Sequence, residues 1–142
     1  MKHFLITLLL TIPFITFSQS SSLERKVYDV LNTYKLNFNS DTTVFSEDVS
    51  VECRIHSQLM VENGDLFHAD GGYIGEIVQK NTNHYCNENV YVCNEDELAQ
   101  KIITSFLNSP PHKKNLEKRY KRVGVGIIID EKGGVWVTIR FW

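Results

Sequence analysis

No stretch of this 142-residue chain is apolar for long enough to cross a bilayer. The longest apolar run, Phe4 to Phe17, is about 14 residues, against the roughly 20 that a spanning helix needs. Lys2 and His3 precede it, and Ser18, Gln19 and Ser20 follow. A basic start, an apolar middle and a small-residue exit are the three parts of a cleavable secretory leader. The expected division is a signal peptide over 1–20, cut after Ser18 or Ser20, and one domain over 21–142. No Cys stands at the end of the run, so an acceptor for a lipid anchor is missing. The place this predicts is outside the cytoplasm: secreted, periplasmic or on the cell surface, with no membrane span left after cleavage.

A basic excess is also lacking. Lys and Arg number 15 against 17 Asp and Glu, and Lys2 is the only charged side chain of the leader, so the domain carries 14 − 17 = −3. That speaks against nucleic acid as a partner. The one basic run, Lys113, Lys114, Lys118, Arg119, Lys121 and Arg122, reads as a solvated face. Cysteine is scarce, with three in the chain. Cys86 and Cys93 share a polar loop, where export permits a short-loop disulfide. Cys53 lies on an apolar helix face and is expected to pack as a small buried hydrophobe; pairing through Cys53 stays open as the alternative. Repeats and low-complexity tracts are absent, and about 122 residues suffice for one core.

What is present is patterned. Leu23, Val27, Val30, Leu31, Tyr34 and Phe38 recur at spacings of three and four, predicting a first helix, with Ser21 and Glu24 as a capping box. A second helix is expected from Ser46, with Glu47 and Asp48 in its first turn and Val49, Cys53, His56, Leu59 and Met60 on its apolar side. Asn63-Gly64 stops it. A third spans about Glu95 to Asn108, capped by Asn94 and Glu97. Ser109-Pro110 then starts a short helix, with Pro at the first helical position. Val123, Val125, Ile127 and Ile129, then Val135, Val137, Ile139 and Phe141, alternate on either side of a Gly-rich turn and predict a hairpin. Gly124 and Gly126 leave the opposite face bare, so something packs closely there. Residues 64–94 are rich in Gly and poor in pattern, with short strands expected at Tyr73–Gln79 and Val90–Val92. So long an irregular stretch is uncommon unless it is functional.

That segment supplies His68 and Glu76; the short helix supplies His112. At a helix start the dipole disfavours a positive imidazole, so His112 should stay neutral, able to accept a proton or ligate a metal. Two His and a carboxylate match both a zinc ligand set and an acid–base set. A His-Glu-x-x-His helix and a Gly-x-Ser-x-Gly elbow are both absent. Cys53 has no activating neighbour, which argues against thiolate catalysis. His56 reads as a core histidine.

Several strings then line up with one family. Leu31-Asn32-Thr33-Tyr34-Lys35 resembles "LNxYR". Arg54-Ile55-His56-Ser57-Gln58-Leu59-Met60 resembles "A-R-x-H-S-x-x-M". Phe67-His68 and Gly75-Glu76-Ile77 are similar to "F-x-H" and "G-E-N-I", each one residue shorter. Phe106-Leu107-Asn108-Ser109-Pro110-Pro111-His112 resembles "W-M-N-S-P-G-H", Val123-Gly124-Val125-Gly126 "I-G-V-G", and Trp136 to Phe141 the closing "W-x-T-Q-x-F". Together they resemble the CAP superfamily, the SCP-like extracellular domain, in a short bacterial form. The resemblance implies an α-β-α sandwich of mixed α+β class, a small antiparallel sheet lying between helices. It implies a cleft of two His and two Glu that in some members holds a divalent metal, often zinc. His68, Glu76 and His112 take three of those places. The fourth, expected near Phe106, falls on Ser109, and Glu97 lies too early.

Two functions follow as expectations. The first is an extracellular binding module, monomeric, whose cleft takes a small molecule, a lipid, a protein or Zn2+. The alternative is a hydrolase of peptidase type, with His112 as general base oriented by Glu76.

Overall fold

The computed structural model describes residues 21–38, 41–71, 74–82 and 94–142. The expected leader, the Val90–Val92 strand and the Cys86–Cys93 bridge lie outside them.

The first helix, α1 (Ser22–Asn37), begins as its sequence prescribes. The Ser21 side chain accepts from the Glu24 backbone N–H, and the Glu24 carboxylate accepts from the Ser21 N–H. A two-residue strand β1 (Val44–Phe45) leads into α2 (Glu47–Asn63), which closes on Gly64 at φ 70°, the left-handed conformation that favours glycine. Strand β2 (Gly75–Thr82) follows, then α3 (Glu95–Leu107), capped by the Asn94 side chain accepting from Glu97 N–H, and the short α4 (Pro110–Leu116). The chain ends in the hairpin of β3 (Arg122–Ile129) and β4 (Gly134–Phe141). Strand β2 starts two residues later and ends three later than the sequence suggests.

The sheet order is β1-β3-β4-β2. Strand β4 pairs antiparallel with both β3 and β2, while β1 joins β3 in parallel, so the expected antiparallel sheet is mixed at one edge. With helices on both faces, the molecule is the expected α-β-α sandwich.

Alternation along β3 and β4 sorts the layers. Val123, Val125, Ile127, Val135, Val137, Ile139 and Phe141 face one way and bury with Leu23, Val27, Leu31, Leu98, Ile102, Ile103 and Phe106 of α1 and α3. This is the main core. The other face lies under α2. A Cβ on Gly124 would sit 2.5 Å from the Val49 backbone, and one on Gly126 would sit 2.1 Å from Arg54 N. The bare face read from the sequence is thus the seat of α2. Beyond the glycines, Met60, Val78 and Trp136 form a second small cluster. Because both faces are covered, every residue of β4 is buried. Leu59 and Phe38, expected in apolar stripes, are 43% and 50% exposed, and Phe38 falls one residue past the end of α1.

Candidate functional site

Strand β2 opens on Gly75, where a Cβ would meet the Tyr120 hydroxyl at 2.7 Å; the missing side chain lets the strand start against that ring. One residue on, Glu76 is paired in register with Arg140 of β4. Both lie on the α2 side of the sheet, and both side chains are buried, 7% and 3% exposed. Arg140 Nε donates to Glu76 Oε2 at 2.7 Å, and Arg140 Nη1 lies 3.9 Å from Glu52 Oε2 on α2. The other carboxylate oxygen, Oε1, accepts from the Ala69 N–H at 2.9 Å and from His68 Nδ1 at 3.0 Å.

These contacts define the charge state. Burial, the largest single influence, pushes the Glu76 carboxyl upward. The hydrogen bonds from Arg140, Ala69 and His68, with the Arg140 charge, outweigh it and hold the group below the usual carboxylate value. An ionised carboxylate only accepts, so Nδ1 of His68 carries the proton and Nε2 is the free position. The His68 side chain is 60% exposed. Together with Gly71, Ile74 and Asn115 of α4, His68 and Glu76 line an open recess of about 280 Å³.

His112 stands on the same short helix, three residues before Asn115, with its ring edge-on to Phe106 at 5.3 Å between centroids. Its pKa is lowered, first by burial and then by the charge of His68. The structure therefore brings His68 and Glu76 into contact and leaves His112 electrostatically in reach but packed on the core. Glu76 orients His68, whereas the sequence reading had it orienting His112. Ser109, expected near the fourth place, caps α4 by position without a side-chain hydrogen bond. His56 is buried, its Nε2 2.8 Å from the Phe67 carbonyl oxygen and its ring edge-on to Phe67, which anchors the segment leading to His68. Cys53 is buried and its thiol is pushed up to about 12 by burial, so it is inert.

Arg140 is the residue that sequence reading missed. Its signal was the bare Gly124–Gly126 face: if a helix covers that face of β3, then Thr138 and Arg140, opposite Gly126 and Gly124, are covered too.

Both oxygens of Glu76 accept from protein donors, and His68, with Nδ1 on Glu76, keeps Nε2 open. Among the described residues no three of His, Cys, Asp and Glu converge as a metal site needs.

The profile of the family described as "CAP: Cysteine-rich secretory protein family" matches residues 28–141. The chain belongs to the CAP family. Its fold is similar to that of an outer surface protein from Borrelia burgdorferi, with a TM-score of 0.64 at 11% identity, over 87% of this chain and 94% of that one. It is also similar to an extracellular protein containing an SCP domain from Bacillus anthracis, with a TM-score of 0.59 at 16% identity, over 84% of this chain and 40% of that one. A third likeness is to the hookworm platelet inhibitor, with a TM-score of 0.55 at 9% identity, over 88% and 71%. At such identities the likeness shows the CAP fold alone. Comparison with curated proteins gives no match. No helix among the described residues is long and apolar enough to cross a membrane.

Proposed function

We propose that this CAP domain, released from a leader over residues 1–20, works outside the cytoplasm as a recognition module. Its ligand site is the recess at His68 and Glu76. The observation that carries the reading is the chain of contacts from Arg140 through Glu76 to His68. It fixes one tautomer of an exposed imidazole at the mouth of a concave site. Such a site offers a preset hydrogen-bonding nitrogen, the Asn115 amide and the glycine-rich backbone around Gly71 and Gly75 to a small polar ligand. Two fold neighbours, an outer surface protein and an extracellular protein, agree with that placement.

The hydrolase reading has one element in its favour, the carboxylate-oriented imidazole. Among the described residues the recess lining contains no Ser, Thr or Cys nucleophile beside it.

The test is an NMR titration of the isotopically labelled protein with a library of small polar acids and amides. Perturbations gathered on His68, Gly71, Gly75, Glu76 and Asn115, and abolished by Glu76→Gln, are expected. Hits scattered over the surface, or unaffected by Glu76→Gln, would overturn the site. The same samples incubated with an unstructured protein substrate should leave it intact; cleavage lost in His68→Ala would establish the hydrolase instead.

A further inference from the structure

The two edges of the sheet are finished differently. At one, β1 is two residues long, and Thr43 just before it has its N–H and carbonyl taken by Asn32 and Tyr28 of α1. That edge is short and covered. At the other, β2 runs for eight residues. Helix α2 packs on β3 and β4, and α1 on β3 and α3, which leaves β2 as the outer strand.

Pairing parity tells which groups of β2 face outward. The N–H groups of Arg122 and Trp142 each donate to the other's carbonyl, so even-numbered residues of β4 turn their backbone toward β3. Odd-numbered ones turn toward β2, where Val135, Val137, Ile139 and Phe141 stand opposite Asn81, Gln79, Ile77 and Gly75. Glu76, Val78 and Lys80 therefore direct N–H and carbonyl away from the sheet. Among the described residues no group bonds to those backbone atoms. Val78 is buried through its side chain, which packs with Met60 and Trp136.

This edge complements itself. Laid antiparallel to a second copy about Val78, the string Glu76-Ile77-Val78-Gln79-Lys80 sets Glu76 opposite the partner's Lys80, Val78 opposite the partner's Val78, and Lys80 opposite the partner's Glu76. These are the residues whose backbone faces outward, so each pair can exchange N–H and carbonyl in both directions. All three side chains lie on the α2 side: Glu76 meets Arg140, Val78 packs on Trp136, and Lys80 Nζ stands 4.2 Å over the Trp136 ring. A two-fold axis normal to the sheet keeps that side common to both copies, so the opposite charges meet on one face. Lys80 is exposed and is the one cation of β2. Pairing centred on Lys80 instead would set the two lysines against each other, which disfavours that register.

We infer that the outer edge of β2 is the interface of a symmetric dimer, in which a second copy of this chain continues the sheet in the register centred on Val78. The contact is short, so the dimer belongs to high concentration, and the monomer expected from the sequence is its dilute state. The test is sedimentation equilibrium of the leader-free chain from about 10 μM to about 1 mM at low salt. A monomer–dimer equilibrium is expected. Lys80→Glu, which sets carboxylate against carboxylate at both ends of the contact, should weaken it by about tenfold or more, and Lys80→Arg should preserve it. Because Lys80 is exposed, both variants should melt close to the parent. Amide exchange, compared between dilute and concentrated samples, should slow at Glu76, Val78 and Lys80 as the dimer forms. A monomer at every concentration would overturn the inference and leave the edge to a strand from another protein. A dimer indifferent to Lys80→Glu, or one whose amide protection falls on α1 or α4 rather than on β2, would overturn it as well.

Discussion

Gly126 lies directly beneath Arg54: a Cβ built on the glycine would stand 2.1 Å from the Arg54 backbone nitrogen and 2.2 Å from the Cys53 carbonyl carbon. Backbone atoms of a helix cannot swing aside as a side-chain tip can. Gly126→Ala must therefore lift α2 from the sheet, and with it Ser57, whose hydroxyl donates to the Gly126 carbonyl. The expected loss is about 3 kcal/mol or more, measured by urea denaturation. A loss under about 1 kcal/mol would mean that α2 is seated more loosely than described.

Arg140→Met removes the partner of a buried carboxylate. Breaking a buried pair from one side leaves the other charge uncompensated, and the cost should be about 3 kcal/mol. The same variant should raise the Glu76 pKa. The sign follows from linkage: a carboxyl held below its unfolded value adds stability above that value and loses it as pH falls through the folded one. The parent should thus lose more stability than Arg140→Met on acidification from pH 6 to pH 3, in paired thermal melts.

Lys35 is a fully buried lysine of α1 whose Nζ donates to the carbonyl oxygens of Leu116 at 2.9 Å and Lys118 at 2.6 Å. It closes the C-terminal end of α4 from another helix. Lys35→Met keeps the bulk but strands both acceptors, at a cost of about 2 kcal/mol. Amide exchange should quicken first in α4, the helix that carries His112 and Asn115. Uniform acceleration across the protein would instead mark global destabilisation.

His112 has its pKa lowered by burial and by His68. In the window between its folded and unfolded values the unfolded chain binds a proton that the native one does not, so stability rises with pH there and is complete above the unfolded value. Thermal midpoints should fall on acidification below about pH 6.5, the ordinary histidine value. His112→Gln should flatten that part of the profile, and an unchanged slope would remove His112 as its source.

Much of this was legible in the chain. The Ser21–Glu24 box, the Gly64 stop, the Asn94 cap and the hairpin are local codes, and each acts within a few residues of itself. The glycines at 124 and 126 announced α2 at long range because two missing side chains on one strand face have few other uses. His68 and Glu76 could be named as candidates, yet their pairing could not, because it depends on how the fold sets His68 and Ala69 beside the start of β2. Buried charges were the least legible. Glu24 serves as a helix cap, as read, but also accepts from Ile127 N–H and from Arg54 inside the fold, roles that only the packing reveals.

The ion pair that orients His68 also has a say in how the strands assemble. In a period-two ladder, slipping β2 by one residue against β4 would set Ile77 opposite Arg140 and turn Glu76 toward the aliphatic layer. Both charges would then be entombed apart. The proposed recognition site thus doubles as an assembly checkpoint: a molecule that has joined its strands out of step forfeits a buried salt bridge and the recess beside it in the same error.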